Sequence, residues 1–341
     1  VPALKLELQE YRHRATGARH VHLASDDPHK AFLVAFLTVP QDSTGVAHIL
    51  EHTALCGSRR YPVRDPFFMM TRRSLNTFMN AFTGADWTAY PFASLNRKDF
   101  ENLLDVYLDA AFFPLLDPLD FAQEGHRVEF ADDSADAPLV FKGVVYNEMK
   151  GAMSAPLSQL YHHLHAAVFP DTVYRHNSGG EPLAIPDLTH AALRDFHARH
   201  YHPGNAVFMT YGSFPESEHQ QQIAELVLAH FQRPDGVIMS PLQPRFSAPR
   251  STPWRAASAR RGTRRWPLAK RSVRKWQPNA SATSAAKSPS SLRSAPASGD
   301  VEVLRGAKGS TEPDAGSEKT GNDETRICSK RGEDAEHRKY E

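Results

Sequence analysis

Apolar and polar residues alternate along "ARHVHLAS" (residues 18–25), the period of a strand with one buried face. After the turn-forming "DDP" (26–28), "KAFLVAFLTVP" (30–40) is an almost wholly apolar run of strand length. Together the two segments predict an antiparallel pair at the centre of a sheet. Residues 44–57 read as a helix. "LNTFMNAFTGADWTAYPFAS" (75–94) is rich in aromatic and β-branched residues around Gly84 and predicts a second pair of strands. The clearest helix covers 96–114: Phe100, Leu103, Leu104, Tyr107, Leu108 and Ala111 share one face, Asn96 can cap its start and Pro114 ends it. Residues 139–154 begin apolar and become helical near Val144. A helix over 187–201 with Thr189 as its cap, a strand over 205–214 and a helix over 216–232 close the pattern. Strands arrive as adjacent pairs between helices, so the fold class is α+β: one largely antiparallel sheet with helices packed on it.

The patterning stops near residue 250, which divides the chain into an α/β domain over 1–248 and a tail over 249–341. From Arg250 onward there are only seven Leu, Ile, Val or Phe residues, too few to offset chain entropy, and the tail is expected to be disordered. The net charge of +1 conceals an uneven distribution: residues 250–299 hold twelve Lys or Arg and no acid, and 300–341 mix eleven acids with eight bases. Two cysteines, Cys56 and Cys328, one on each side of the boundary, imply no disulfide framework. No apolar run reaches the length of a membrane span, and "VPALKLELQEYRHRATG" lacks the basic-then-apolar pattern of a secretion signal. The chain begins at Val rather than Met, which fits a processed or incomplete front end.

Candidate chemistry lies in "GVAHILEHTALCGSRRYPVRDPF" (45–67). At about 100° per residue, His48, Glu51 and His52 fall within an arc of about 100°, with the imidazoles one turn apart. Imidazoles at i and i+4 can grip one Zn²⁺, and Glu51 stands where a base for an activated water is wanted. The order H-x-x-E-H keeps the geometry of the commoner H-E-x-x-H with the chain direction reversed. The bland alternative is a helix carrying two hydrogen-bonded histidines. A catalytic zinc takes a third protein ligand, often a carboxylate. Spacing alone does not choose among Glu148 in "GVVYNEMKGAMS" and Glu124 or Glu129 in "FAQEGHRVEF".

Five segments, "STGVAHILEHTALCGSRRYPVRDPFFMM", "LNTFMNAFTGADWTAYPFAS", "VVYNEMKGAMS", "SGGEPLAIPDL" and "YHPGNAVFMTYG", resemble, in that order, the pitrilysin/insulinase family of inverted zinc peptidases, and most nearly its presequence-protease branch. The resemblance runs from near residue 5 to about 248. It implies one zinc per chain held by His48, His52 and Glu148, with Glu51 as general base for direct hydrolysis of short unstructured peptides. It also implies that the strand through Asn80, Ala81 and Phe82 is the sheet edge along which an extended peptide lies, where backbone pairing accepts many sequences. A plain core strand is the alternative. Bacterial cytoplasm is the expected compartment, and the mitochondrial matrix is the alternative by analogy to the presequence proteases.

The resemblance covers only the first of the family's four related domains and ends after "PLQPRFSAPR" (241–250). A shifted reading frame or an erroneous gene model is the favoured reading of the remaining sequence, ahead of a flexible tether. A nucleic-acid-binding arm, with Trp254, Trp266 and Trp276 set among the basic residues, ranks last. A chain of this extent is expected to keep its zinc but act weakly unless another chain supplies the missing half. The competing classes are a non-catalytic binding member of the same fold and an inactive product. His162 and His165 in "YHHLHAAVF" (161–169) read as helix surface, His126 as packed or hydrogen-bonded, and Cys56 as a small buried residue.

Overall fold

The computed structural model describes residues 5–134, 136–236, 238–249 and 251. Its first elements are β1 (Glu7–Arg12), β2 (Arg19–Ala24), β3 (Lys30–Leu37) and helix α1 (Val46–Ala54). Helix α2 (Pro66–Arg73) leads to β4 (Asn76–Met79), β5 (Phe82–Thr83) and β6 (Trp87–Ser94), followed by α3 (Arg97–Phe112) and α4 (Pro118–Glu124). A separate two-stranded ribbon, β7 (Arg127–Phe130) with β8 (Leu139–Lys142), precedes α5 (Val144–Ala152) and α6 (Pro156–Val168). Helix α7 (His190–His200), strand β9 (Ala206–Gly212) and helix α8 (Glu216–Leu226) complete the described elements.

The main sheet has seven strands in the order β1-β2-β9-β3-β6-β4, with β5 also on β6. Every pairing is antiparallel except β2 with β9. The expected α+β architecture is therefore present, with one correction at its centre. Strands β2 and β3 run in opposite directions but do not pair; β9, far later in the chain, lies between them. Two apolar strands joined by a short turn look like a hairpin in sequence, yet the ladder went to a distant strand whose own alternation matches. β3 and β9 both alternate buried and half-buried positions, placing Phe32, Val34 and Phe36 beside Ala206, Phe208 and Thr210 on one face. Register follows from that face, since a one-residue slip would turn all of these side chains outward.

Helix α3 covers this face. All six residues expected on its apolar side are buried, and the Asn96 side chain accepts from the Asp99 N–H as a cap. Phe92 packs on Phe100 and Tyr107, and Phe36 stacks on Tyr201 and meets Phe112 edge-on. Thr189 caps α7 as expected, whereas α8 is shorter than its apolar pattern, giving way after Leu226 to a 3₁₀ turn. The pattern also misses β1, α2 and α4, all short elements with mixed faces. Helix α6 buries no residue: Leu157, Tyr161 and Leu164 are more than half exposed along one side. The proposed tail over 249–341 lies, beyond Pro249 and Ser251, outside the described residues. Among those described, no helix is long and apolar enough to cross a membrane.

Candidate metal centre

Helix α1 is buried almost all round rather than amphipathic: eight of its nine residues are buried, and His52 is only slightly more open. It is the floor of the candidate centre, so its two imidazoles and Glu51 are held among packed neighbours and not on a solvated face. Helix α5 brings Glu148 to them after the β7–β8 ribbon. One ligand atom from each of His48, His52 and Glu148 lies within 4.8 Å of the other two, and His48 Nε2 is 3.6 Å from Glu148 Oε1. Among the described residues these three form the one group of His, Cys, Asp or Glu donors so arranged.

Each histidine is oriented from behind. His48 Nδ1 is 3.0 Å from the carbonyl of Gly179, and His52 Nδ1 is 3.1 Å from Glu124 Oε2. Both partners are acceptors, so each Nδ1 carries a proton, and Nε2 is the nitrogen each ring offers to a metal. The imidazole planes meet at 75°, with centroids 5.0 Å apart. Burial, then the neighbouring His52, pushes the His48 pKa below its ordinary value, which keeps the ring neutral. His52 Nε2 is buried and has no hydrogen-bond partner among the described residues. A buried, unsatisfied acceptor is costly unless something occupies the space before it. Two imidazoles, one of them carrying that orphaned nitrogen, and one carboxylate make three donors, which fit a zinc ion with one coordination position left open.

Glu51 is buried beside this set and is not one of the three grouped donors. Its Oε2 accepts a 2.6 Å hydrogen bond from Thr83 Oγ1 on β5, and Thr83 Oγ1 lies 3.4 Å from Thr88 Oγ1 on β6. The structure thus brings together all four residues of the predicted centre. It also separates the three carboxylates that spacing left equal. Glu148 joins the imidazoles, Glu124 orients His52, and Glu129 pairs with Arg127 and Lys142 away from the centre. Asn80, Ala81 and Phe82 run into β5 at the edge of the sheet: Ala81 is buried, and Phe82 is partly exposed and stacked near Phe78. Their stretch adjoins Thr83 and hence Glu51.

Sequence reasoning left Thr83, Glu124 and Gly179 without roles. Glu124 was within view as a candidate ligand. Nothing in the spacing marks a backbone carbonyl 131 residues from the ring that it orients. Two other histidines singled out in the sequence lie apart from the donor group: His126 Nε2 bonds the Leu188 carbonyl, and His162 is not one of the grouped donors. Cys56 is a buried free thiol whose pKa burial pushes up, the opposite of an activated cysteine.

With this geometry in place, the likenesses to other proteins are informative. A family model described as Insulinase (Peptidase family M16) matches residues 38–159, and one described as Peptidase M16 inactive domain matches 187–257. The two stretches share one sheet, since β9 from the second and β6 from the first pair with opposite edges of β3. The chain is 54% identical over 255 residues to a protein named "Presequence protease, mitochondrial" from Danio rerio, covering 74% of this chain and 24% of that one. Proteins of the same name from Mus musculus (53% over 251 residues; 73% and 24% covered) and Schizosaccharomyces pombe (51% over 226; 66% and 23%) are similar. The chain therefore spans about a quarter of the length of these relatives. Among solved structures, a protease from Helicobacter pylori superposes with a TM-score of 0.55 at 16% identity, covering 70% of this chain and 53% of that one. A mutant ferredoxin protease FusC in complex with Arabidopsis ferredoxin gives 0.52 at 17%, covering 70% and 26%. At such identities the likeness is one of fold.

Proposed function

The chain belongs to the insulinase family of peptidases, in its presequence-protease branch, and from that premise we propose that it is a zinc-dependent metallo-endopeptidase, or the zinc-bearing part of one, acting on short unstructured peptides. The observation that carries this reading is the convergence of His48, His52 and Glu148 with Glu51 beside them. His48, His52 and Glu148 would hold the zinc, which when bound polarises a peptide carbonyl and makes water more acidic. The other duties fall to the chain itself. Glu51 takes a proton from the attacking water and passes it to the leaving amine, with no covalent enzyme intermediate. The Thr83 hydroxyl holds the Glu51 carboxylate in one orientation. Glu124 and the Gly179 carbonyl hold the imidazoles. Asn80, Ala81 and Phe82 offer an extended substrate a strand edge next to the base, so affinity comes from backbone pairing and tolerates many sequences.

The retained donor set supports a catalytic member over a purely binding one. Because the chain spans only 24% of such a relative, the 341 residues alone are expected to cleave slowly: the opposing wall that excludes water and stabilises charge would come from further sequence. The relatives' names favour a mitochondrial compartment over the bacterial cytoplasm. Metal analysis and cleavage of a quenched peptide, with and without chelator, test the proposal. One zinc per chain and chelator-sensitive cleavage are expected, and Glu51→Gln is expected to keep the zinc and lose turnover. A Gln variant that cleaves as fast as the parent removes Glu51 from the role of base.

A further inference from the structure

The segment "SGGEPLAIPDL" (178–188) has no part in the chemistry above beyond one carbonyl, yet its first residues press against the metal centre. The Gly179 carbonyl is the acceptor that fixes the His48 ring. The peptides on either side of that carbonyl's own are held by the side chain of Asn177, a buried amide. Asn177 Oδ1 accepts from the Gly179 N–H at 3.2 Å, and Nδ2 donates to the Gly180 carbonyl at 3.3 Å and reaches Met153 Sδ at 3.6 Å. Its own N–H donates to Ser43 Oγ, and the Glu181 N–H donates to the Ser43 carbonyl at 2.8 Å. Ser43 precedes α1, which carries both histidines, and Met153 caps the end of α5, which carries Glu148. One buried residue therefore ties together the approach to one ligand helix, the end of the other, and the loop between.

Two glycines show how tightly the loop is seated. Gly45 enters α1 with φ of 72°, and a Cβ there would lie 2.8 Å from the Gly179 oxygen, the same atom that accepts from His48. Gly180 has φ of 108°, and a Cβ on it would meet Ile185 at 2.8 Å.

We propose that Asn177 is a positioning residue for the metal ligands: through the Gly179 carbonyl it sets the ring orientation and tautomer of His48, and through Met153 it sets the spacing of α5 from α1. The proposal rests on reading His48, His52 and Glu148 as the zinc site. An imidazole without its Nδ1 acceptor samples other rotations and the other tautomer, and both turn the Nε2 lone pair away from the metal.

The test is zinc affinity of the purified chain, measured by competition with a chromophoric chelator, beside the thermal midpoint of the metal-free protein. Asn177→Ala is expected to weaken zinc binding roughly 10–100-fold, the size of a lost outer-shell partner. Asn205→Ala is the control. Its amide bonds the Leu37 and His200 carbonyls and touches no ligand, so it is expected to lower the midpoint similarly and bind zinc as the parent does. Asn177→Asp keeps the oxygen that accepts from the Gly179 N–H and loses the donor to the Gly180 carbonyl and Met153; it is also expected to weaken zinc, and it decides the matter if Asn177→Ala does not fold. Parent-like affinity in the folded Asn177 variant, or an equal loss in the Asn205 control, overturns the proposal. A parent that binds no zinc overturns the metal-site reading and this one with it, whereas a binding parent with indifferent variants sinks this one alone.

Discussion

His48 and His52 on α1, and His20, His22 and His219 between β2 and α8, are two groups of enclosed imidazoles within one chain. Burial drives the pKa of His48 in the first, and of all three rings in the second, below the ordinary value. The surroundings differ. In the first, a carbonyl and a carboxylate take the Nδ1 protons, and a third donor, Glu148, lies 3.6 Å from His48 Nε2. In the second, His20 Nε2 and His22 Nδ1 both address a single hydroxyl, Thr210 Oγ1, at 2.8 and 2.7 Å. Neither nitrogen of His219 has a hydrogen-bond partner among the described residues. Among those residues, no three donors converge there. A metal centre is thus distinguished by the orienting acceptors and the third donor, and neither the number of histidines nor their burial predicts it.

The largest effect expected comes from removing a ligand. His48→Ala or His52→Ala should lower zinc affinity by more than the roughly 10–100-fold of an outer-shell change, while His22→Ala leaves it as it is. Zinc titration of the three variants breaks the comparison if His22→Ala matters equally.

Acid comes next. The folded-state pKa is lowered from 6.5 to about 4 for His20 and about 3 for His219, through burial first and the neighbouring imidazoles second. Glu216 opposes the shift at His20 and His22, Arg97 adds to it at His219, and the Tyr11 ring stacks on His20. Above pH 6.5 both folded and unfolded imidazoles are neutral and nothing changes. Below it the unfolded chain takes up protons that the folded chain refuses, so stability falls as pH drops towards 4 and 3. The loss at pH 4 is on the order of 2–3 kcal/mol for a fully responding ring. His219→Phe, set between Phe100 and Phe214, should flatten that slope in thermal midpoints measured from about pH 7 to about pH 4. An unchanged slope assigns the acid sensitivity elsewhere.

A smaller change sharpens the orienting role. Glu124→Ala frees His52 Nδ1 and should weaken zinc by roughly 10-fold, with Glu124→Gln closer to the parent because its amide oxygen can still accept. Smallest of all, Leu164→Ser on the exposed side of α6 should shift stability by no more than about 0.5 kcal/mol in denaturant unfolding, since that face buries nothing in these residues.

Much of this was legible in the residues. The α3 face, its Asn96 cap, the Thr189 cap and the turn at Gly84 follow from local periodicity and capping chemistry, which tertiary packing here reinforces. The i, i+4 histidines with Glu51 between them are likewise a local fact, because one helical turn sets their arc whatever surrounds it. The insertion of β9 between β2 and β3 was not legible, since strand partnership depends on which distant edge fits and local alternation is the same for either neighbour. For the same reason spacing left Glu148, Glu124 and Glu129 equal; the family resemblance implied Glu148, and folding is what brings it to the imidazoles. The pairing of Thr83 with Glu51 and of Gly179 with His48 came only from folding, which packs α1 against β5 and the 177–181 loop. Sequence alone determined which donors stand on one helix. The tertiary structure decided which remote atoms fill their outer valences, because hydrogen-bond partners 32 and 131 residues apart are set by how layers pack and leave no period in the chain.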